Sequence, residues 1–131
     1  MKVLLLTNEY PPYMYGGAGV HVDNLSRELA KLTPVEVRCF GDQNLTAENL
    51  DAKGFGLDKG GFHCPDNLAS VFGAARRCVD FNAAGIDADV VHCHTWYTHL
   101  GGIMAKLAYG IPLVITVHSL EPLRPWKREQ I

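Results

Sequence analysis

No run of the 131-residue chain approaches the ~20 apolar residues that a membrane-spanning helix needs. Met1 and Lys2 followed by the apolar residues 3–6 begin like a secretory signal. The run is too short for one, and Asn8, Glu9 and Pro11 interrupt it. An excess of positive charge is missing as well. The formal net charge is −2, which removes the electrostatic footprint of a nucleic-acid binder or of a protein drawn to an anionic membrane. Arg124, Lys127 and Arg128 make one short basic cluster, which reads as a solvated face. Cys39, Cys64, Cys78 and Cys93 form no C-x-x-C pair. Cys39 and Cys93 end apolar runs and Cys78 falls on a predicted helix, so buried free thiols are expected rather than a disulfide frame. There is no internal repeat and no low-complexity tract. A cytoplasmic protein is the expectation.

With 47% hydrophobic and 20% charged residues, the composition is that of one ordinary globular domain with a core. Residues 2–7 form a short, branched, continuously apolar run, the pattern of a strand buried on both faces. Val22, Leu25, Leu29 and Leu32 then recur at helical spacing, predicting a helix from about Gly19 to Leu32. Residues 35–40 read as a second strand. Residues 41–65, rich in Gly, Asp and Asn, read as an irregular excursion with one short strand near Phe55 to Leu57. Asp66 is placed to cap a helix carrying Leu68, Val71, Phe72, Ala75 and Val79. Residues 88–93 give another buried strand. Thr95 is placed to cap a helix reaching about Tyr109 with Leu100, Ile103, Met104 and Leu107 inward. Gly110 suits a left-handed C-terminal cap, with Pro112 soon after. Residues 113–117 give a last strand. Strands alternating with helices predict an α/β fold with a Rossmann-like parallel sheet.

In such sheets ligands bind beyond the carboxyl ends of the strands, and the unusual residues of this chain gather there. Thr7, Asn8, Glu9 and the run Gly16-Gly17-Ala18-Gly19-Val20-His21 follow the first strand. His92-Cys93-His94-Thr95-Trp96 follows a later one, and His118, Ser119 and Glu121 follow the last. Glycines entering a helix let backbone N–H groups approach a phosphate, and the helix N-terminus adds partial positive charge. A tight turn needing glycine only for its geometry is the competing reading. Val22 stands where a G-x-G-x-x-G fingerprint wants its third glycine, and no P-loop Gly-Lys-Ser/Thr is present. His92 and His94 alternate on one face and, with His118, have the residue types of a metal site. No carboxylate motif accompanies them, so hydrogen bonding in a polar cleft is the preferred role and no metal is expected. No Ser/His/Asp arrangement stands out. Glu9 and Glu121 are candidate cleft carboxylates.

Three segments resemble the cleft loops of the family 4 retaining glycosyltransferases. They are Glu9-Tyr10-Pro11-Pro12 with Tyr15-Gly16-Gly17-Ala18-Gly19-Val20-His21, then residues 91–97, then residues 116–127. Within that family the resemblance is greatest to the bacterial, actinobacterial-type glycogen synthases, which use ADP-glucose; some make α-maltose 1-phosphate from glucose 1-phosphate. The resemblance implies a GT-B architecture, two Rossmann-like domains across a cleft, with residues 1–131 an incomplete N-terminal, acceptor-side domain and the C-terminal donor-binding domain absent. It implies that Gly16 and Gly17 meet the donor diphosphate and that His118 contacts the transferred glucose as the catalytic residue. It also implies that Glu9 and His94 line the acceptor side or support the loop, and that Trp96 and Glu121 belong to the acceptor and sugar side. The implied partners are a nucleotide sugar, a glucan or sugar phosphate, and the second domain. No cofactor is implied beyond the substrate ADP-glucose. The family reacts on one sugar face, with the leaving phosphate helping to deprotonate the acceptor. One departure is that Tyr15 precedes the glycine pair, where enteric glycogen synthases have Lys.

Two rival readings remain open on sequence. One is a stand-alone, non-catalytic sugar- or glucan-binding module. The other is a nicotinamide-dependent oxidoreductase, weakened by the missing third glycine and by a second strand ending Cys39-Phe40-Gly41, although Asp42 is close by. The chain ends inside what reads as the first turn of a helix, which suggests a fragment with little activity alone.

Overall fold

The computed structural model describes residues 1–57 and 63–120. Six strands, β1 (Val3–Leu6), β2 (Val35–Phe40), β3 (Asn44–Ala47), β4 (Leu50–Phe55), β5 (Val90–His94) and β6 (Leu113–Thr116), form one sheet in the order β3-β4-β2-β1-β5-β6. Every neighbouring pair is parallel except the β3–β4 hairpin. The helices are α1 (Gly17–Ala30), α2 (Ala69–Ala83) and α3 (Trp96–Tyr109).

The central strand explains the layering. All four residues of β1 are buried, and alternate side chains point to opposite faces. Val3 and Leu5 join Val22, Val35, Val37, Leu50 and Ala52, with Leu25 and Leu29 of α1 packed against them. Leu4 and Leu6 join Phe81, Val91, Cys93 and Ala105 on the face covered by α2 and α3. A helix on each face is what a parallel sheet requires.

The expected strands at residues 2–7, 35–40, 88–93 and 113–117 are all present within a residue or two, as is the left-handed Gly110 cap at φ 68°. The cysteines carry no disulfide: Cys39, Cys78 and Cys93 are buried free thiols and Cys64 is half-buried. Burial pushes Cys39 and Cys93 up to about 12.

Three expectations are corrected. Residues 41–55 are not irregular but hold the β3–β4 hairpin, with β4 running parallel to β2 from Val35↔Leu50 to Phe40↔Phe55. Only Leu50 and Ala52 of β4 are buried, alternating with exposed Asp51 and Lys53, so no continuous apolar run marks it.

The inward face of α3 also differs from expectation, and most of the apolar residues that marked α2 are exposed. On α3 the buried residues are Thr98, Gly101, Gly102 and Ala105, while Leu100, Ile103 and Leu107 are exposed. On α2 they are Gly73, Ala74, Cys78, Phe81 and Asn82, while Val71, Phe72 and Val79 are exposed, as is Leu68 in the preceding turn. Close packing is the reason. A Cβ on Gly102 would lie 2.2 Å from the Cys93 sulfur, and one on Gly101 3.3 Å from that of Cys78. Neither Asp66 nor Thr95 makes the capping bond expected of it.

Arg38 fastens α2 to the sheet. Its buried guanidinium donates to the Phe81 carbonyl and, at 2.5 Å, to that of Gly85, while Glu36 accepts from its Nε at 2.7 Å. Arg124, Lys127, Arg128 and Glu121 lie outside the described residues.

Candidate active site

The strand order reverses direction at β1: β2 lies on one side and β5 on the other. The loops leaving β1 and β5 therefore diverge to opposite faces and open a crevice at their carboxyl ends. A cleft of about 690 Å³ occupies that position. Glu9, Gly16 and Gly17 line it from the β1 side, Thr95, Trp96, Tyr97 and His99 from the β5–α3 side, and His118 and Ser119 from beyond β6. Three loops thus converge on one rim, bringing together Glu9, Gly16, Gly17, Trp96 and His118 among the expected residues. His94 sits beneath them, fully buried, and Glu121 falls outside the described residues.

Glu9 organises the glycine turn. Its Oε2 accepts from the Gly16 N–H at 3.2 Å and the Gly19 N–H at 3.1 Å, placing a carboxylate against the positive end of α1. Gly19 is required for this approach, because a Cβ there would lie 2.9 Å from that oxygen. Gly16 and Gly17 are different. A Cβ on either would meet nothing within 4 Å, and the backbone of Gly16 is extended, at φ −162°. Neither packing nor backbone conformation within the chain asks for glycine at these two cleft positions.

Histidines from three elements stack behind the cleft. His94 Nδ1 is 3.1 Å from His118 Nε2, and His92 Nε2 is 2.7 Å from Thr116 Oγ1. The rings of His92 and His94 lie 4.1 Å apart, and His21 of α1 lies 5.5 Å from His94 and 5.4 Å from His118. Burial first, and then the His92, His118, His21 and His99 rings, push His94 down to about 3. Burial and His21 also lower His118, against an opposing pull from Glu9. His92, His94 and His118 are therefore held neutral at physiological pH. His94 Nε2 is buried with no partner. A bare lone pair there is cheaper than an orphaned N–H, so the proton belongs on Nδ1, donated to His118. Among the described residues no three His, Cys, Asp or Glu side chains come together as a metal-holding group.

Thr95 joins the two halves of the rim: its hydroxyl donates to Asn8 Oδ1 at 2.7 Å. It does so at φ 68°, a left-handed backbone that is strained for a β-branched residue. Trp96, 48% exposed, stacks on Tyr97 with ring centroids 4.0 Å apart, making an aromatic floor. Tyr97 and His99 were not singled out from sequence. Both fall in the first turn of α3, whose start at Trp96 was the available signal.

The chain is 46% identical over 131 residues to an alpha-maltose-1-phosphate synthase of Mycobacterium tuberculosis, covering 100% of this chain and 32% of that protein. It is 30% identical over 141 residues to a glycogen synthase of the same organism, covering 92% and 34%. The chain thus spans about a third of the length of the curated relatives it matches. Its fold superposes on the catalytic domain of starch synthase IV from Arabidopsis thaliana, a structure bound to ADP and acarbose. The TM-score there is 0.64 at 17% identity, covering 89% of this chain and 34% of that one. The mostly parallel α/β sheet is therefore that of GT-B glycosyltransferases. No described helix is long and apolar enough to cross a membrane. The family profile named Glycosyltransferase Family 4 matches residues 15–131, which displaces the oxidoreductase reading: the chain belongs to glycosyltransferase family 4.

Proposed function

We propose that residues 1–131 supply the acceptor-side half of a retaining glucosyltransferase that moves glucose from ADP-glucose to an α-glucan or to glucose 1-phosphate. The observation that carries the reading is the Gly16-Gly17 pair at the start of α1, open to the cleft with no need for glycine inside the chain. Glycine there leaves room for a ligand to reach the backbone at the helix N-terminus, as a diphosphate does. Because Glu9 takes the Gly16 amide, the Gly17 end of the turn is the part left for the diphosphate. The greater identity to maltose-1-phosphate synthases than to a glycogen synthase, 46% against 30%, favours glucose 1-phosphate as acceptor.

In this reading the anomeric carbon breaks its bond to the diphosphate oxygen and forms one to an acceptor hydroxyl on the same face. The hydroxyl proton passes to the departing diphosphate. His118, neutral and held by His94, donates a hydrogen bond to the glucose beside the reacting carbon, Trp96 gives an apolar face for a sugar ring, and Glu9 keeps the glycine turn in shape. No metal or cofactor enters the reaction. Glucose transfer from labelled ADP-glucose, measured on the intact protein carrying this chain, tests the assignment. The variant His118→Ala should lose at least about a hundredfold in turnover, the scale of one positioned polar group, while retaining its circular dichroism and melting temperature. Near wild-type turnover in that variant would sink it.

A further inference from the structure

A second cavity, of about 600 Å³, adjoins the cleft and shares Glu9 and Tyr97 with it. Asn8, Tyr13, Tyr15, Phe40 and Arg77 also line it, and none of the roles assigned above uses Arg77. The setting of Arg77 is unusual for a surface helix. Its Nε is buried without a hydrogen-bond partner, and its guanidinium lies over the Phe40 ring, 4.4 Å from the centroid. Among the described residues no carboxylate pairs with it. Glu9 is engaged by the Gly16 and Gly19 amides, and Asp42 accepts from the Tyr13 hydroxyl. Burial lowers its proton affinity. A partly desolvated cation with no anion beside it among the described residues is costly, and a ligand phosphate relieves that cost with the planar fork that guanidinium offers.

The rings between the two cavities form a continuous row. Trp96 stacks on Tyr97 at 4.0 Å, Tyr97 meets Phe40 edge-on at 6.3 Å, and Phe40 carries Arg77. Such a row suits a molecule with an apolar sugar face at one end and an anion at the other. We propose that this second cavity is the phosphate end of the acceptor site, where Arg77 holds the phosphate monoester of a phosphorylated sugar. The word acceptor rests on the transferase reading; the phosphate site itself does not. Glucan chains carry no such group, so the cavity selects sugar phosphates over glucans. The donor diphosphate is the other source of phosphate, and it meets the glycine turn in the first cavity.

The test titrates the intact protein calorimetrically with glucose 1-phosphate, inorganic phosphate, ADP-glucose and maltotriose, each alone. Arg77→Met should weaken glucose 1-phosphate and inorganic phosphate by about tenfold to a hundredfold, the scale of one charge-assisted bidentate pair. It should leave ADP-glucose and maltotriose unchanged. Arg77→Lys, which keeps the charge but loses the fork, should fall between and carries the test if Arg77→Met does not fold. An equal loss for ADP-glucose, or no loss for glucose 1-phosphate, overturns the proposal. Arg77-dependent binding of glucose 1-phosphate with no glucose transfer would uphold the site while removing the transferase reading. Transfer to glucose 1-phosphate with wild-type KM in Arg77→Met would do the reverse.

Discussion

At Gly17 a methyl group would meet open space, and at Gly19 it would press on the Glu9 carboxylate. The two glycines therefore separate function from stability. Gly17→Ala should change unfolding free energy by less than about 1 kcal/mol, yet lower glucose transfer by about tenfold or more if a diphosphate approaches there. Gly19→Ala should cost about 1–3 kcal/mol through overpacking. Urea titrations beside transfer assays distinguish them, and a Gly17 variant with full activity would remove the glycine turn from the site. His94 gives the pH prediction. Folded His94 refuses a proton down to about 3, whereas an unfolded histidine accepts one near 6.5. Between those values the unfolded chain binds more protons, so stability rises with pH and is lost as pH falls through the upper value. His92, His99 and His118 are shifted the same way. The melting temperature should fall from about pH 7 to 5, above the range where carboxylates titrate. His94→Asn should flatten that slope, and an unchanged slope would show that His94 titrates normally. The glycine turn, His94 and His118 were legible in sequence because their residue types are unusual at strand ends. Arg77 was not, being one of two adjacent arginines on a helix, with nothing local to say which one meets Phe40.

Four strands were legible as elements because they are short apolar runs. In the central β1 that run, Leu4-Leu5-Leu6, is buried on both faces, as a parallel strand between helices is, whereas Val114 and Ile115 of the edge strand β6 are equally apolar but exposed. The β3–β4 hairpin lies toward the sheet edge, where Asp51 and Lys53 face solvent and Gly54 must be small: a Cβ there would sit 2.4 Å from the Gln43 amide nitrogen. Its sequence therefore resembled a loop. The helices misled in the opposite sense. Their apolar side chains suggested one inward face, but α2 and α3 approach each other and the sheet through small residues. Asn82 then bridges them, donating to the Gly101 carbonyl at 3.0 Å and accepting from the Tyr109 hydroxyl at 2.6 Å. Gly102→Ala should thus cost about 1–3 kcal/mol or more, although alanine is the better helix former. Leu107→Ala, on a side chain 79% exposed, should cost less than about 0.5 kcal/mol. The reverse ranking in thermal melts would restore the face expected from periodicity. Arg38→Met strands two carbonyls at the end of α2 and leaves Glu36 with only Lys2, 2.9 Å away. A loss of about 3–5 kcal/mol is expected, as for a broken buried ion pair.

For the molecule as a whole, charge decides what the chain can do unaided. Among the described residues, the first cleft is lined by Glu9, neutral histidines, aromatics and glycines, with no Lys or Arg. The end of α1, the natural anion site, already carries the Glu9 carboxylate. A diphosphate entering here finds room and backbone, but little positive charge, and departing phosphate needs compensation as its bond to the sugar breaks. On the two-domain reading proposed above, cations facing the cleft from the second domain supply it. Residues 1–131 alone should accordingly hold ADP-glucose only weakly, at about millimolar Kd, and transfer no measurable glucose. Glucose 1-phosphate should still bind in the Arg77 cavity, because its cation lies within this chain. Titrating the isolated chain with both ligands measures the contrast. Micromolar binding of ADP-glucose would mean that the glycine turn and α1 suffice for the diphosphate despite Glu9, and that charge from a second half is not what completes the site.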